Sequence, residues 1–236
     1  MLIEELLELN VPALEKLFRG RERGGETRVK LPFALRLDGV GFGRNLKGFQ
    51  EPRDLSVHNA LLQGATEIVK QLSASGAYVT SDEVNVLILG PNLPYAGRVE
   101  KLVSISASLL SSFVSLTLNQ LLTFDARIIP LESVDEAKLY VSYRARIGLN
   151  NYVGSMLEKS GVKRLEGMQL REQLAELEKL GIIVKDRPLW EWGGSSILWQ
   201  VKDKGRRISF CEGPSKLIES LEMYRAPELD KKKRGQ

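Results

Sequence analysis

Pro32-Phe33-Ala34-Leu35-Arg36-Leu37-Asp38-Gly39-Val40-Gly41-Phe42-Gly43-Arg44 is an apolar run that stops on an aspartate and opens into a glycine-rich loop. Residues 32–38 read as a buried strand. A second acidic cluster, Thr80-Ser81-Asp82-Glu83, lies between two short β-prone runs, 77–80 and 84–89, which is a hairpin signal. Between the two clusters, 55–74 has helical spacing, with Val57, Leu61, Leu62, Ala65, Ile68, Val69 and Leu72 on one face. After the hairpin, 98–119 reads as a helix rich in small residues, and 124–130 as a strand ending at Pro130. The order β-α-β-β-α-β predicts an α+β, ferredoxin-like core with the layout of a polymerase palm. In that topology the first and third strands are antiparallel neighbours. The end of the first, Asp38, then meets the start of the third, beside Asp82.

That convergence is what gives the two clusters a chemical meaning. A carboxylate beside a glycine-rich loop can hold a divalent cation while backbone N–H groups approach phosphates. Two carboxylates at one place make a two-metal phosphoryl-transfer site possible. Taken alone, Asp38-Gly39 is also an ordinary strand-ending turn. The loop is not a dinucleotide fingerprint: the glycines of Gly39-Val40-Gly41-Phe42-Gly43 have the wrong spacing and the expected helix is delayed.

The chain has 236 residues, 43% hydrophobic and 27% charged, enough to bury a core without staples. Its net charge of +4 is compatible with a nucleic-acid partner without requiring one. Cys211 is the single cysteine, so no intramolecular disulfide or cysteine-based metal cluster can form, and a reducing, cytoplasmic location is expected. His58 is the single histidine, which excludes His-rich zinc sites and disfavours a Ser-His-Asp triad; within 55–74 it reads as an ordinary helix-surface histidine. Catalysis must therefore rest on carboxylates, Lys or Arg, and metals. The N-terminus is acidic and has no signal-peptide pattern, and 109–122 is too polar for a membrane span.

Outside the core, 3–18 reads as one or two amphipathic helices and 19–30 as a charged, Gly-rich linker. Residues 134–160 and 164–180 read as helices, 189–210 as β-rich, and 226–236 as a basic disordered tail. The expected organisation is 1–30, a palm-like core over 31–131, an extension over 132–225 packed on it, and the tail. Arg98 and Lys101 lie three apart on one helix face, at an N-terminus where positive charge opposes the helix dipole, which suggests an anionic partner. Arg127 lies within the apolar strand 124–130 and, if buried, needs a carboxylate or a phosphate. Arg144, Arg146, Asn150 and Asn151 form a polar helix face or an RNA-reading one. Trp190, Trp192 and Trp199 fit core packing better than base stacking.

Taken together, Arg36-Leu37-Asp38-Gly39 with Phe42, Ser81-Asp82-Glu83, the segment Arg98 to Ser104, Phe124-Asp125-Ala126-Arg127, Asn150-Asn151 and Ile197-Leu198-Trp199-Gln200 resemble the tRNA-His guanylyltransferase family, including its relatives that repair tRNA 5′ ends by 3′-to-5′ polymerisation. The resemblance runs from about Pro32 to Val201. It implies a palm with two Mg²⁺ ions held by the Asp38 and Asp82 carboxylates and the Gly39 carbonyl, with Glu83 in support. It implies a loop, Val40 to Gly43, that cradles a triphosphate. Ser81 belongs to the same nucleotide site. Arg98, Lys101, Arg127 and Asn150 fall where the family binds phosphates, and Asp54 where it contacts a base. It implies ATP and GTP as substrates, the tRNA 5′ end and acceptor stem as partner, and a homodimer or homotetramer. The family polar residue and histidine flanking the phenylalanine are Gly41 and Gly43 here. The family histidine before the Asn-Asn pair meets Gly148 and Leu149. These departures favour the template-using, less anticodon-bound branch. The alternatives are another palm enzyme, such as a nucleotide cyclase or dinucleotide synthetase, and a non-catalytic RNA-binding module.

Overall fold

The structure is a computed structural model and describes residues 10–21, 24–46, 48–50, 52–162, 167–202 and 205–225. In chain order the elements are α1 (Val11–Arg19), β1 (Phe33–Gly39), α2 (Phe42–Asn45), α3 (Leu55–Gln71), β2 (Gly76–Thr80), β3 (Glu83–Ile88), α4 (Val99–Leu118), β4 (Phe124–Pro130), α5 (Val134–Lys159), α6 (Leu170–Lys179), α7 (Leu189–Gly193), β5 (Ser195–Lys202), β6 (Gly205–Glu212) and α8 (Ser215–Ser220). The strands form one antiparallel sheet in the order β4-β1-β3-β2-β5-β6. Its first four strands have the ferredoxin-like arrangement, and the β5–β6 hairpin extends the same sheet.

Alternation along β1 separates structure from chemistry. Phe33, Leu35 and Leu37 are buried with Val84, Val86 and Ile88 of β3 against Leu61, Ala65 and Ile68 of α3 and Leu110 and Val114 of α4. On the opposite face, Ala34 packs with Tyr78, Leu87, Ala137 and Val141 under α5. Arg36 and Asp38 share that second face by alternation. A third cluster, Tyr152, Val153, Leu157, Leu177 and Val184, joins the end of α5 to α6. Helix α4 is long and apolar enough to cross a membrane, but its Leu102, Ser106, Leu110 and Val114 face is buried within the protein.

The structure departs from the sequence expectations in particular places. Trp190-Glu191-Trp192 lies in the short helix α7, not in a strand; Pro188 precedes it and Gly194, at φ +65°, ends it. The short helix α2 follows Gly41 directly, so helix does resume within the glycine-rich loop. His58 is buried at 6% exposure, because Ser195 at the start of β5 and Trp190 of α7 lie against that part of α3. The N-terminal residues 1–9, part of the 164–180 segment and the basic tail lie outside the described residues.

Candidate active site

The antiparallel register pairs Asp38 with Glu83 and Thr80 with Glu83, so the end of β1 meets the β2–β3 turn. Ser81 takes a left-handed backbone, φ +56°, to make that two-residue turn, and its side chain hydrogen-bonds Asp82. Burial pushes the Asp82 carboxyl up from the ordinary aspartate range; the Ser81 and backbone hydrogen bonds oppose the shift, and the Asp38 charge adds to it. The two carboxylates therefore sense each other at one edge of the sheet. A carboxylate made costlier to ionise by burial and by a neighbouring carboxylate suits a cation beside it.

Glu83 has a different environment. Its side chain is 5% exposed. Arg36 Nε donates to Oε2 at 2.6 Å, Arg144 Nε to Oε1 at 2.8 Å, and Asn85 Nδ2 to Oε1 at 2.7 Å; Arg144 Nη2 also donates to Oε2. Tyr140 Oη donates to Asn85 Oδ1 at 2.6 Å. The same Arg36 reaches Asp38 Oδ1 through Nη2 at 3.1 Å. Glu83 thus anchors α5 to the sheet and, through Arg36, fixes Asp38. Arg144, grouped in the sequence with a polar or RNA-facing surface, is instead a buried partner of Glu83.

The loop after Asp38 is set by close packing. A Cβ at Gly39 would overlap the Phe42 ring, and Phe42 is buried against Phe124 with ring centroids 5.4 Å apart. Val40 N–H donates to Thr123 O at 2.9 Å, and Asn45 Nδ2 to Val40 O at 3.3 Å. The loop is held at both ends while Gly43 stays open to solvent.

Next to Asp82 is a cavity of about 160 Å³ whose lining includes Phe42, Leu46, Phe49, Val57, Arg53 and His58. Asp54 also lines it, but its carboxylate is engaged as the N-cap of α3. Oδ1 accepts from Ser56 N at 2.8 Å and Val57 N at 3.2 Å, and Oδ2 from Gln50 N at 2.9 Å. Burial pushes its pKa up, but the Ser56 hydroxyl, which also donates to Oδ1, and these backbone bonds outweigh it and hold the pKa below the ordinary value. His58 Nε2 shares a 2.8 Å hydrogen bond with Ser195 Oγ, and its ring lies 4.9 Å from that of Trp190. Burial, with the Arg53 charge adding to it, lowers the His58 pKa to about 4.

The remaining expected phosphate ligands are dispersed. Arg127 is paired with Arg36 across β1–β4, close to Asp38, but it is more than half exposed rather than buried and bonds Asp125 Oδ2 at 3.0 Å. Arg98 pairs by backbone with Arg28 beside the start of β1, and Lys101 follows one turn into α4. A 20-residue helix spans about 30 Å, so both lie at the end of the sheet opposite Asp38. Asn150 accepts from Arg146 Nη1 and lines a separate groove with Asn151 and Arg171. Trp199 packs against the main core and donates Nε1–H to Ala74 O at 2.8 Å; Trp192 packs on the α5–α6 cluster. Arg53, the pairing of Arg144 with Glu83 and the buried role of His58 were not read from the sequence. Only the Arg53 position, between Pro52 and the N-cap Asp54, carried a local signal.

The donor set suits Mg²⁺. That ion takes hard oxygen ligands and is commonly held by one or two carboxylates together with substrate phosphates. Among the described residues no group of three His, Cys, Asp or Glu side chains is arranged for a metal, and such a site does not need one.

Comparison with known proteins gives consistent findings. The family model described as tRNAHis guanylyltransferase matches residues 16–141. Two solved structures of a bacterial tRNA(His) guanylyltransferase-like protein, in complex with ATP and with GTP, are similar to this chain with TM-scores of 0.78 and 0.74 and 21% and 22% identity. Each covers 90% of this chain, and 99% and 98% of the solved chain respectively. The Saccharomyces cerevisiae tRNA(His) guanylyltransferase structure has a TM-score of 0.61 at 22% identity, over 78% of this chain and 92% of that one. An uncharacterized protein, R259, of Acanthamoeba polyphaga mimivirus is 25% identical over 214 residues, 72% of this chain and 70% of its own length.

Proposed function

We propose, for a chain that belongs to the tRNAHis guanylyltransferase family, that it adds nucleotides, typically guanylate, to the 5′ end of tRNA in the 3′-to-5′ direction by two-metal chemistry. As a family member it is a nucleotidyltransferase of the tRNAHis guanylyltransferase type. The observation that carries the finer reading is the meeting of Asp38 and Asp82 beside the glycine-rich loop, with Asp82 destabilised as an anion by burial and by Asp38. The Asp38 and Asp82 carboxylates and the Gly39 carbonyl would hold two Mg²⁺ ions. When bound, the ions lower the pKa of an attacking hydroxyl and neutralise charge on a triphosphate.

The chain's own residues supply position. Arg36 fixes the Asp38 carboxylate, and Glu83 fixes Arg36. The Val40–Gly43 backbone orients the triphosphate of ATP or GTP. The tRNA 5′ phosphate is first activated by transfer of a nucleotidyl group, with pyrophosphate leaving. The 3′-hydroxyl of the incoming NTP then displaces the activating nucleotide as its monophosphate. Arg127, near the Asp38 edge, is the expected phosphate ligand best placed to act within one protomer. Arg98, Lys101 and Asn150 would act from elsewhere on the surface or from another copy of the chain in a homodimer or homotetramer. We assign the activity to the cytoplasm and, because Gly43 and Gly148 replace family histidines, to the template-using branch.

The test uses 5′-monophosphorylated tRNAHis lacking its extra guanylate, and a 5′-truncated tRNA of another identity, each with ATP, labelled GTP and Mg²⁺. Label on both is expected. Label on tRNAHis alone overturns the template-using assignment, and label only in a cyclic or dinucleotide product overturns the tRNA reaction.

A further inference from the structure

Gln50, Pro52 and Arg53 form a wall common to the cavity beside Asp82 and to a second cleft of about 210 Å³. The rest of the second cleft comes from Tyr152 and Lys159 of α5, Arg187 before α7 and Glu191 within it. Lys159 follows Asn150 by nine residues on one continuous helix, which is about two and a half turns. The cleft therefore opens on the side of α5 away from the Asn150–Asn151 groove.

Three cations line this cleft with one carboxylate, and that carboxylate is engaged: Tyr152 Oη donates to Glu191 Oε2 at 2.6 Å. Burial and the Glu191 bond push the Tyr152 phenol up, while the Arg187 and Arg53 charges oppose the shift, so both guanidiniums act on one hydroxyl. The Arg53 charge also feels Asp82. Lys159 and Arg187 are exposed, and Arg53 is half-buried. A cleft lined by one sign of charge focuses its field and concentrates ions of the other. Its volume is more than tenfold the ~10–15 Å³ that one water needs, which leaves room for a phosphate group.

The reaction brings two phosphate-bearing partners to Asp38 and Asp82. The triphosphate belongs to the Val40–Gly43 backbone, on the Phe42 and Gly43 side of the first cavity. The second cleft lies beyond the wall that holds Arg53, yet through Arg53 it is electrostatically joined to Asp82. It is thus placed for the other partner, the nucleic acid. Arg and Lys side chains are common ligands of backbone phosphates, and such contacts fix the register of a strand.

We propose that Arg53, Lys159 and Arg187 hold a backbone phosphate of the RNA acceptor strand, within a few nucleotides of its reacting 5′ end, and so set that strand's register against Asp82. This rests on the tRNA 5′ end being the substrate, as proposed above.

The experiment measures binding of 5′-monophosphorylated tRNAHis lacking its extra guanylate, and of its acceptor-stem minihelix, to the full chain over a range of NaCl at fixed Mg²⁺. Wild type, Lys159→Gln, Arg187→Gln and the double variant are compared, with GTP binding measured alongside. Each phosphate contact adds to the slope of log affinity against log salt. Each single variant should lessen that slope by about one and the double variant by about two, on tRNA and minihelix alike, with GTP affinity unchanged. Arg187→Lys keeps the charge and should keep the wild-type slope. An unchanged slope in the double variant overturns the proposal. So does a loss seen on tRNA but not on the minihelix, which places the phosphate elsewhere on the tRNA. Loss of GTP affinity, alone or with that for RNA, overturns the assignment of the cleft to RNA. If the wild type binds GTP but neither RNA, the tRNA reading itself fails. Both substituted side chains are exposed, and retained GTP binding shows that a variant has folded.

Discussion

Arg36 donates from Nε to Glu83 at 2.6 Å while its Nη2 holds Asp38 at 3.1 Å, so a buried carboxylate and a site carboxylate share one guanidinium. The second guanidinium on Glu83 comes from Arg144 of α5, whose side chain is 10% exposed. Removing one partner of a buried pair strands the other charge and typically costs about 3–5 kcal/mol. Arg144→Met should therefore lower unfolding free energy in urea by about that amount. In a double-mutant cycle with Glu83→Gln, the two losses should fall well short of additive. Simple additivity would show that Arg144 and Glu83 are not coupled.

Asp38 and Asp82 should behave in the opposite way. Neither is a core anchor, and Asp82 is held as a carboxylate against burial and the charge of Asp38. Asp82→Asn removes that charge and is expected to leave the urea midpoint unchanged or raised. Nucleotide incorporation should fall at least a hundredfold, as it should for Asp38→Asn. A destabilised Asp82→Asn with residual turnover near wild type would reverse the assignment.

His58 sets a pH dependence of stability. In the unfolded chain its pKa is about 6.5, and in the fold it is about 4, because burial disfavours the cation. Below pH 6.5 the unfolded state binds the extra proton and the folded state does not. The contribution is thus fully present above pH 6.5, falls as pH drops, and levels off near pH 4. A shift of this size amounts to about 3 kcal/mol. Urea midpoints should drop over that window, and His58→Gln should flatten this part of the slope. An unchanged slope in the variant would place the titration elsewhere.

These residues show what was legible in the sequence and what was not. The palm order was visible because each strand and helix has its own period and because Asp38 and Asp82 end elements that the topology must join. The first and last residues of β4, Phe124 and Pro130, coincide with the sequence limits. His58, Arg53 and Arg144 were misread or passed over because their environments come from elements distant in sequence. Ser195 lies 137 residues from His58 and Glu83 lies 61 from Arg144. No local pattern contains those pairings. Trp190-Glu191-Trp192 reads as strand by propensity, yet the turn geometry at Gly194 and the stacking on His58 favour a helical turn.

Asp54 distinguishes a structural from a base-contacting role. Its oxygens accept from three backbone N–H groups, two of them in the first turn of α3. Asp54→Ala should cost about 1 kcal/mol, as for other lost N-caps. Asp54→Ser, which keeps a cap, should restore most of the stability. If nucleotide affinity follows stability across the pair, capping suffices to explain the residue. Affinity lost in both variants would make Asp54 a direct ligand.

Gly148 marks where α5 crosses β2. A Cβ there would overlap Thr80 Oγ1 and lie 3.2 Å from Thr80 Cβ, so the family histidine has no room at this position without a smaller neighbour. Two effects compete in Gly148→Ala. Helix propensity favours alanine by about 1 kcal/mol, and overpacking costs about 1–3 kcal/mol. Because Thr80 belongs to a central strand, the overpacking should win, giving a net loss of up to about 2 kcal/mol. Lifting α5 also loosens the Arg144–Glu83 pair, so incorporation should fall along with stability. Thr80→Ala in the same chain removes the overlapping oxygen and should recover both. A Gly148→Ala chain more stable than wild type would mean that α5 does not lie this close to β2.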